Sequence, residues 1–354
     1  MVTLDQLLEA CVYNEGSDLH LKAYSPPIVR IHGDLFPLEI EPLSPETVRQ
    51  LGVSILSDTQ RLRYDEELEL DFAYEIKGVS RFRGNLYFQR GVCGAAFRVI
   101  PYQIRTIEEL GLPPVCAQFA SRPRGLVLVT GPAGSGKSTT QAAMVDYINR
   151  TNPCHIITVE DPVEFVHQDD QALINQRELD TDTLSFPNAL RAALREDPDV
   201  ILIGEMRDLE TIKLAITAAE TGHLVFGTLH TTDAVQTVDR IIDVFPSHQQ
   251  QQIRIQMSAN LLGVISQNLV KLADESGRVA VFETLVAIPA VRNLIREAKT
   301  HQISSVIQTG QRHGMQSLDQ ALAGLVHQRL VTYEEALSRA GNVIEFRSLV
   351  GDGV

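Results

Sequence analysis

Leu126-Val127-Leu128-Val129-Thr130-Gly131-Pro132-Ala133-Gly134-Ser135-Gly136-Lys137-Ser138 decides the reading of this chain. An apolar, β-type run leads into G-x-x-x-x-G-K-S, and a helical pattern follows from Thr139 to Ile148. Strand, glycine loop and helix in that order form a phosphate cradle. Glycines let backbone amides converge on phosphate oxygens, and the helix turns its positive end to the same charge. Gly131, Pro132, Ala133, Gly134, Ser135, Gly136, Lys137, Ser138 and Thr139 are therefore the candidate nucleotide-binding residues. Lys137 reaches the outer phosphates, and the Ser138 hydroxyl reaches Mg²⁺. A nucleoside triphosphate with Mg²⁺ is the expected ligand.

Composition narrows what the nucleotide is used for. The chain has 354 residues, enough for two domains, and a formal net charge of -14. An acidic balance argues against a general nucleic-acid binder, which needs a basic surface. No run of about 18 apolar residues suggests a membrane span. Met1 to Glu9 lacks a basic-then-apolar signal pattern. Cys11, Cys93, Cys116 and Cys154 are scattered without C-x-x-C spacing, so no zinc or redox motif is expected. A cytoplasmic protein fits these features.

Residues 1–100 read as a small α+β domain. Leu4, Leu7, Leu8 and Cys11 mark a helix face, and Ile28 to Leu35, through His32 and Gly33, a strand entering a turn. Pro42 to Leu56 reads as a helix begun at Ser44-Pro45. Asp71–Ile76 and Arg81–Gln89 read as strands joined through Lys77-Gly78-Val79. Period 2 places Arg81 and Arg83 on the face opposite Phe82 and Leu86, with Arg98 repeating the pattern in the next strand. That face is either solvated or meets phosphate in a neighbouring subunit. Pro101 to Pro114 reads as a linker.

From residue 115 strands and helices alternate, as in a parallel sheet. The expected strands are Leu126–Thr130, His155–Val159, Val200–Ile203 and Leu224–Leu229. Ligand chemistry in such sheets gathers at the carboxyl ends of strands. There stand Glu160 and Glu164, then Glu205, then His230. Glu205 is placed to handle Mg²⁺ and the attacking water. Glu160 and Glu164 bind metal, activate water or cap the next helix. His230 is a candidate sensor of the terminal phosphate, whereas His223, at a strand start, reads as a turn residue or subunit contact. Arg191 and Arg195 read as one face of the helix after Ser185. From about Pro246 the pattern reads as helical. In Ala290 to Lys299, Val291, Leu294 and Ile295 face the core, and Arg292, Arg296 and Lys299 face outward.

These motifs together resemble the secretion-type hexameric ATPases, and most of all the PilT-type retraction ATPases of type IV pili. The resemblance rests on Gly131 to Ser138, Ile157 to Phe165, Ala192 to Asp208 and Thr221 to Thr232, and runs from Gly16 to about Arg347. Ala290 to Glu297 resembles the A-I-R-N-L-I-R-E element of the retraction type, with Val291 in place of Ile. Ala133 and Gln141 depart from the Thr and Leu usual in the family. The extra N-terminal domain and four-cysteine insertion of assembly-type ATPases are not found.

The resemblance implies an α/β fold: a PAS-like N-terminal domain (1–100), a linker (101–114) and a RecA-like ATPase domain (115–354) with a helical extension from about 246. It also implies a homo-hexamer at the inner-membrane face that binds ATP and Mg²⁺ and acts on an inner-membrane platform protein. Through that partner it extracts pilin and drives twitching motility. Glu205, Glu160, Glu164, His230, Arg81, Arg83 and Arg98 carry the catalysis, with Ser138 and Glu205 at the metal. The alternatives are an assembly or type II secretion ATPase, and a catalytically weak regulatory ring subunit.

Overall fold

The computed structural model describes residues 2–31, 33–100 and 104–351. His32 in the expected first strand and Pro101 at the head of the expected linker lie outside the described residues. The chain divides into two compact units: Met1–Gln103 with Glu164–Val166, and Ile104–Val163 with His167–Val354.

The first unit opens with α1 (Leu4–Tyr13), started by a capping box between Thr3 and Gln6. β1 (Asp18–Lys22), β2 (Ile28–Ile31) and β3 (Asp34–Pro37) follow. Next come α2 (Pro45–Val53), capped by Ser44, and α3 (Asp58–Glu67). β4 (Glu69–Ile76), β5 (Ser80–Gln89) and β6 (Val92–Ile100) complete an antiparallel sheet of order β3-β2-β1-β6-β5-β4. Strand alternation buries Phe82 and Leu86 of β5 with α1 residues Leu7 and Leu8, leaving Arg83 exposed on the other face. In register, Arg83 stands opposite Arg98, and Arg98 opposite Asp18.

The second unit begins with α4 (Val115–Ala120), preceded by Ile107 and Leu112, which are buried in its core. Then come β7 (Gly125–Thr130), α5 (Lys137–Thr151), β8 (His155–Glu160), β9 (Leu173–Glu178), α6 (Phe186–Ala193) and β10 (Val200–Ile203). α7 (Leu209–Glu220), β11 (Leu224–Leu229), α8 (Ala234–Asp243) and α9 (Ser247–Asn260) follow. The chain ends with β12 (Leu261–Lys271), β13 (Arg278–Val286), α10 (Pro289–Arg296), α11 (Ile303–Thr309), α12 (Leu318–His327), α13 (Tyr333–Arg339) and α14 (Val343–Val350).

The sheet order is β13-β12-β7-β11-β10-β8-β9, parallel except for β13. Every residue of β7, β10 and β11 is buried, which explains their unbroken apolar runs. Alternation divides each strand between two cores. Leu126, Leu128, Ile201 and Ile203 pack with residues of α7, α8 and α10, including Ile212, Val238 and Val291. Val127, Val129, Val200 and Leu202 pack with residues of α4 and α5, including Phe119 and Met144.

Three expectations are corrected. The region after Pro246 is not wholly helical, because β12 and β13 extend the sheet beside β7. Apolar residues recur at every second position from Ile253 to Leu261, alternating with Arg254, Gln256, Ser258 and Asn260, so no change of period marks where α9 ends. Arg195 lies beyond the last residue of α6, so it shares no helix face with Arg191. Arg292 does not face solvent. Its guanidinium donates to the carbonyls of Ser258, Ala259 and Leu261 at the end of α9, and to Ala287. The last carbonyls of a helix have no intrahelical partner, and a cation there is favoured by the helix dipole.

Glu283 on β13 joins two helix starts. Its carboxylate accepts from the backbone N–H of Ala234, the first residue of α8, and from that of Leu318, the first of α12. Burial raises its pKa to about 7 from 4.5 despite those donors, and Asp233 and Asp319 beside it push the same way. A carboxyl raised in the folded state stabilises fully below its unfolded pKa, and that stabilisation is lost as pH rises through the folded value. For Glu283 the window runs from about 4.5 to about 7. The loss is on the order of 3 kcal/mol. Denaturant unfolding of the parent should therefore show stability falling across this window, and Glu283→Gln should flatten the fall. An unchanged slope in the variant would contradict this placement of the proton.

Candidate active site

The loop between β7 and α5 turns back on itself through Gly131, Gly134 and Gly136, all at positive φ. Two of these glycines are required by space as well as by conformation. A side chain at Gly131 would collide with the carbonyl of Gln267, and one at Gly136 with the Gln267 side-chain amide. Lys137 Nζ spans the loop, donating to the carbonyls of Gly131 and Pro132 at 2.9 Å each. Ser135 Oγ is buried and meets no hydrogen-bond partner among the described residues. An orphaned hydroxyl, glycine amides and the positive end of a 15-residue helix at one place suit an anion. Ser138 is the second residue of that helix and half-buried.

β12 supports this loop, a part of the site that motif reading missed. Gln267 is 2% exposed. Its Nε2 donates to the Ser135 carbonyl at 2.6 Å, and its Oε1 accepts from Thr140 Oγ1 at 2.7 Å. Ser266, one residue earlier and so on the opposite face, meets Thr130 Oγ1 at 2.9 Å. Thr130 in turn receives a bond from Thr237 of α8 at 3.5 Å, and Thr237 meets Thr231 at 2.7 Å.

The acids stand at the carboxyl ends of neighbouring strands. Glu160 closes β8, where Thr158 Oγ1 and Gln176 Nε2 donate to it at 2.6 and 3.1 Å. The backbone of Gly204, just beyond β10, packs against it: the Gly204 N–H donates to the Val159 carbonyl at 2.8 Å, and an added Cβ would come within 3.1 Å of Glu160 Cα. Glu205 follows, its side chain 19% exposed. The Arg207 guanidinium lies 2.7 Å from its carboxylate and His230 Nε2 lies 3.0 Å away. Burial alone would raise the Glu205 pKa, but Arg207 and then His230 outweigh it and hold the carboxyl below its ordinary range. Glu205 is thus an ionised acceptor, suited to orienting water or a cation more than to storing a proton.

The structure brings Glu160, Glu205 and His230 to one edge of the sheet, the edge that carries the phosphate loop. His223 instead bonds locally, its Nδ1 donating to the Ala218 carbonyl at the end of α7 at 2.9 Å. Arg191 pairs with Glu210. Glu164 is exposed and groups with the first unit, as do Arg81, Arg83 and Arg98. Arg98 pairs with Asp18 at 3.0 Å. Among the described residues no cluster of three His, Cys, Asp or Glu could hold a metal by itself. No helix among them is long and apolar enough to cross a membrane.

Comparison with known proteins adds to this geometry. Residues 108–338 match the family described as type II/IV secretion system protein. The chain is 56% identical over 320 residues to a twitching motility protein of Neisseria gonorrhoeae, covering 90% of this chain and 86% of that one. It is 53% identical over 337 residues to the type IV pilus retractation ATPase PilT of Pseudomonas aeruginosa, covering 95% and 98%. A solved structure of the pilus retraction motor PilT with bound ADP superposes with a TM-score of 0.92 at 46% identity, covering 98% of this chain and 99% of that one.

Proposed function

The chain belongs to the type II/IV secretion system protein family, and on that premise we propose that it is the ATP-hydrolysing motor that retracts type IV pili. The observation that carries this reading is the extent of the likeness: a twitching motility protein and a pilus retraction ATPase match at 56% and 53% identity over 90% or more of the chain, through both units of the fold. The phosphate loop is where ATP and ADP bind.

The site residues have the following proposed roles. The backbone N–H groups between Gly131 and Thr139, Pro132 excepted, receive the phosphates. Lys137 leaves the carbonyls of Gly131 and Pro132 to meet the outer phosphates, exchanging two neutral acceptors for charged ones. Ser138 and Glu205 would hold Mg²⁺, which would supply positive charge to those phosphates. Glu205 orients the attacking water, with Glu160 and Glu164 as further acids. His230, bonded to Glu205, relays the presence of the terminal phosphate. Arg81, Arg83 and Arg98 supply positive charge from a neighbouring subunit. Arg83 stands directly opposite Arg98, which Asp18 already pairs from its other side.

Six copies form a ring on the cytoplasmic side of the inner membrane. The bodies that move are residues 1–100 and 115–354, joined by 101–114, in which Ile107 and Leu112 are already fixed to the second unit. The ring acts on a platform protein in the inner membrane, and through it on pilin.

The chemistry is tested by phosphate release from purified protein. Lys137→Ala should lose ATP affinity or turnover, and Glu205→Gln should bind ATP and not turn it over. Near-parent hydrolysis by Lys137→Ala would remove the basis of the site. The coupling to movement is tested by Arg296→Ala. Val291 and Ile295 of α10 are buried, and Arg292 holds the end of α9, whereas Arg296 is exposed. The variant should keep its fold and most ATP turnover but impair surface movement. Normal movement would reduce the Arg296 side chain to a solvated surface group.

A further inference from the structure

Gly136 permits the backbone conformation of the phosphate loop but does not select it. With no Cβ on Gly136, the peptide between Ser135 and Gly136 can point its carbonyl to either side at little steric cost. Only one of the two orientations is useful. In a planar trans peptide the C=O and the following N–H point in opposite directions. The Gly136 N–H is turned into the phosphate cradle only when the Ser135 carbonyl is turned away from it, into the protein.

The group that holds the Ser135 carbonyl inward is the Gln267 side chain. Its Nε2 lies 2.6 Å from that oxygen, and its own orientation is fixed by Thr140 Oγ1 at 2.7 Å from Oε1. The assignment of the amide is chemical: a carbonyl only accepts, so the NH₂ end must face Ser135. Both bonds are buried, where water cannot replace them. β12 is anchored in turn by the Ser266–Thr130 contact on its other face.

We propose that Gln267 is a positioning residue for phosphate binding, which fixes the Ser135–Gly136 peptide so that its N–H faces the nucleotide. This rests on the nucleotide site described above. Gln267 touches no substrate and acts through the loop. The contact it secures is made equally to bound ATP and to the transition state, so its loss is a binding loss that leaves the chemical step alone.

The test is steady-state ATP hydrolysis by the full chain in its oligomer, with Lys137→Ala as the control for the site. Gln267→Met keeps the length and apolar volume and removes both bonds. It should raise KM for ATP about tenfold, equivalent to ~1.4 kcal/mol, with kcat within about threefold of the parent. Thr140→Val, which removes only the amide's anchor, should raise KM by a smaller factor, and Thr140→Ser should restore it. The double variant Gln267→Met with Thr140→Val should be no worse than Gln267→Met alone, because the two groups act as one unit. Should Gln267→Met fail to fold, the Thr140→Val and Thr140→Ser pair reads the same coupling. A KM within twofold of the parent in folded Gln267→Met, or in Thr140→Val, overturns the positioning role, as does a loss confined to kcat. Full turnover in Lys137→Ala overturns the nucleotide site itself, an outcome distinct from normal KM in the Gln267 and Thr140 variants.

Discussion

A loop that offers its backbone N–H groups to an anion must place its carbonyls elsewhere, because every peptide carries a carbonyl and each one not leading into proline an N–H as well. In this chain the carbonyls of Gly131 and Pro132 take up Lys137 Nζ, and that of Ser135 takes up Gln267 Nε2. Everything beneath the loop serves this arrangement. β7 is buried along its whole length, so the loop starts from a fixed point, and α5 continues from it with Met144 and Ile148 packed in the core. β12 grips β7 and its loop from both faces of the sheet, through Ser266 on one and Gln267 on the other.

The acids extend the same logic to the neighbouring strands. β10 and β11 are as fully buried as β7, and their ends place Glu205 and His230 within a hydrogen bond of each other. Arg207 and His230 keep Glu205 charged despite its partial burial. His230 is followed at once by Thr231, which joins the hydroxyl chain through Thr237 to Thr130 at the foot of the phosphate loop. The start of α8 is then held by Glu283 of β13, which also receives α12. One polar path thus runs from the phosphate loop to the C-terminal helices, buried for much of its length.

Much of this was legible in the sequence where the cause is local. The four apolar runs ending at Thr130, Val159, Ile203 and Leu229 stand out because a buried parallel strand has no polar face to interrupt it. The phosphate loop was legible because its chemistry lies within eight consecutive residues. Gln267 was not, since its meaning comes from a carbonyl 132 positions away, and a glutamine between Ser266 and Asn268 carries no motif. β12 and β13 were hidden because an alternation of apolar and polar residues begins already inside α9, although Asp274-Glu275-Ser276-Gly277 between them is a turn signal that could have found the hairpin. Arg292 misled for a related reason. Helical periodicity places it on a polar face, but the carbonyls it meets belong to the end of another helix, which a one-helix pattern cannot show.

The central claim is that this ATPase shortens surface fibres rather than building them. Cells lacking the chain, imaged for type IV pili and scored for surface movement, test it most directly. The account predicts an excess of long fibres that no longer retract, together with loss of movement. Cells bare of fibres would contradict it and place the chain in assembly.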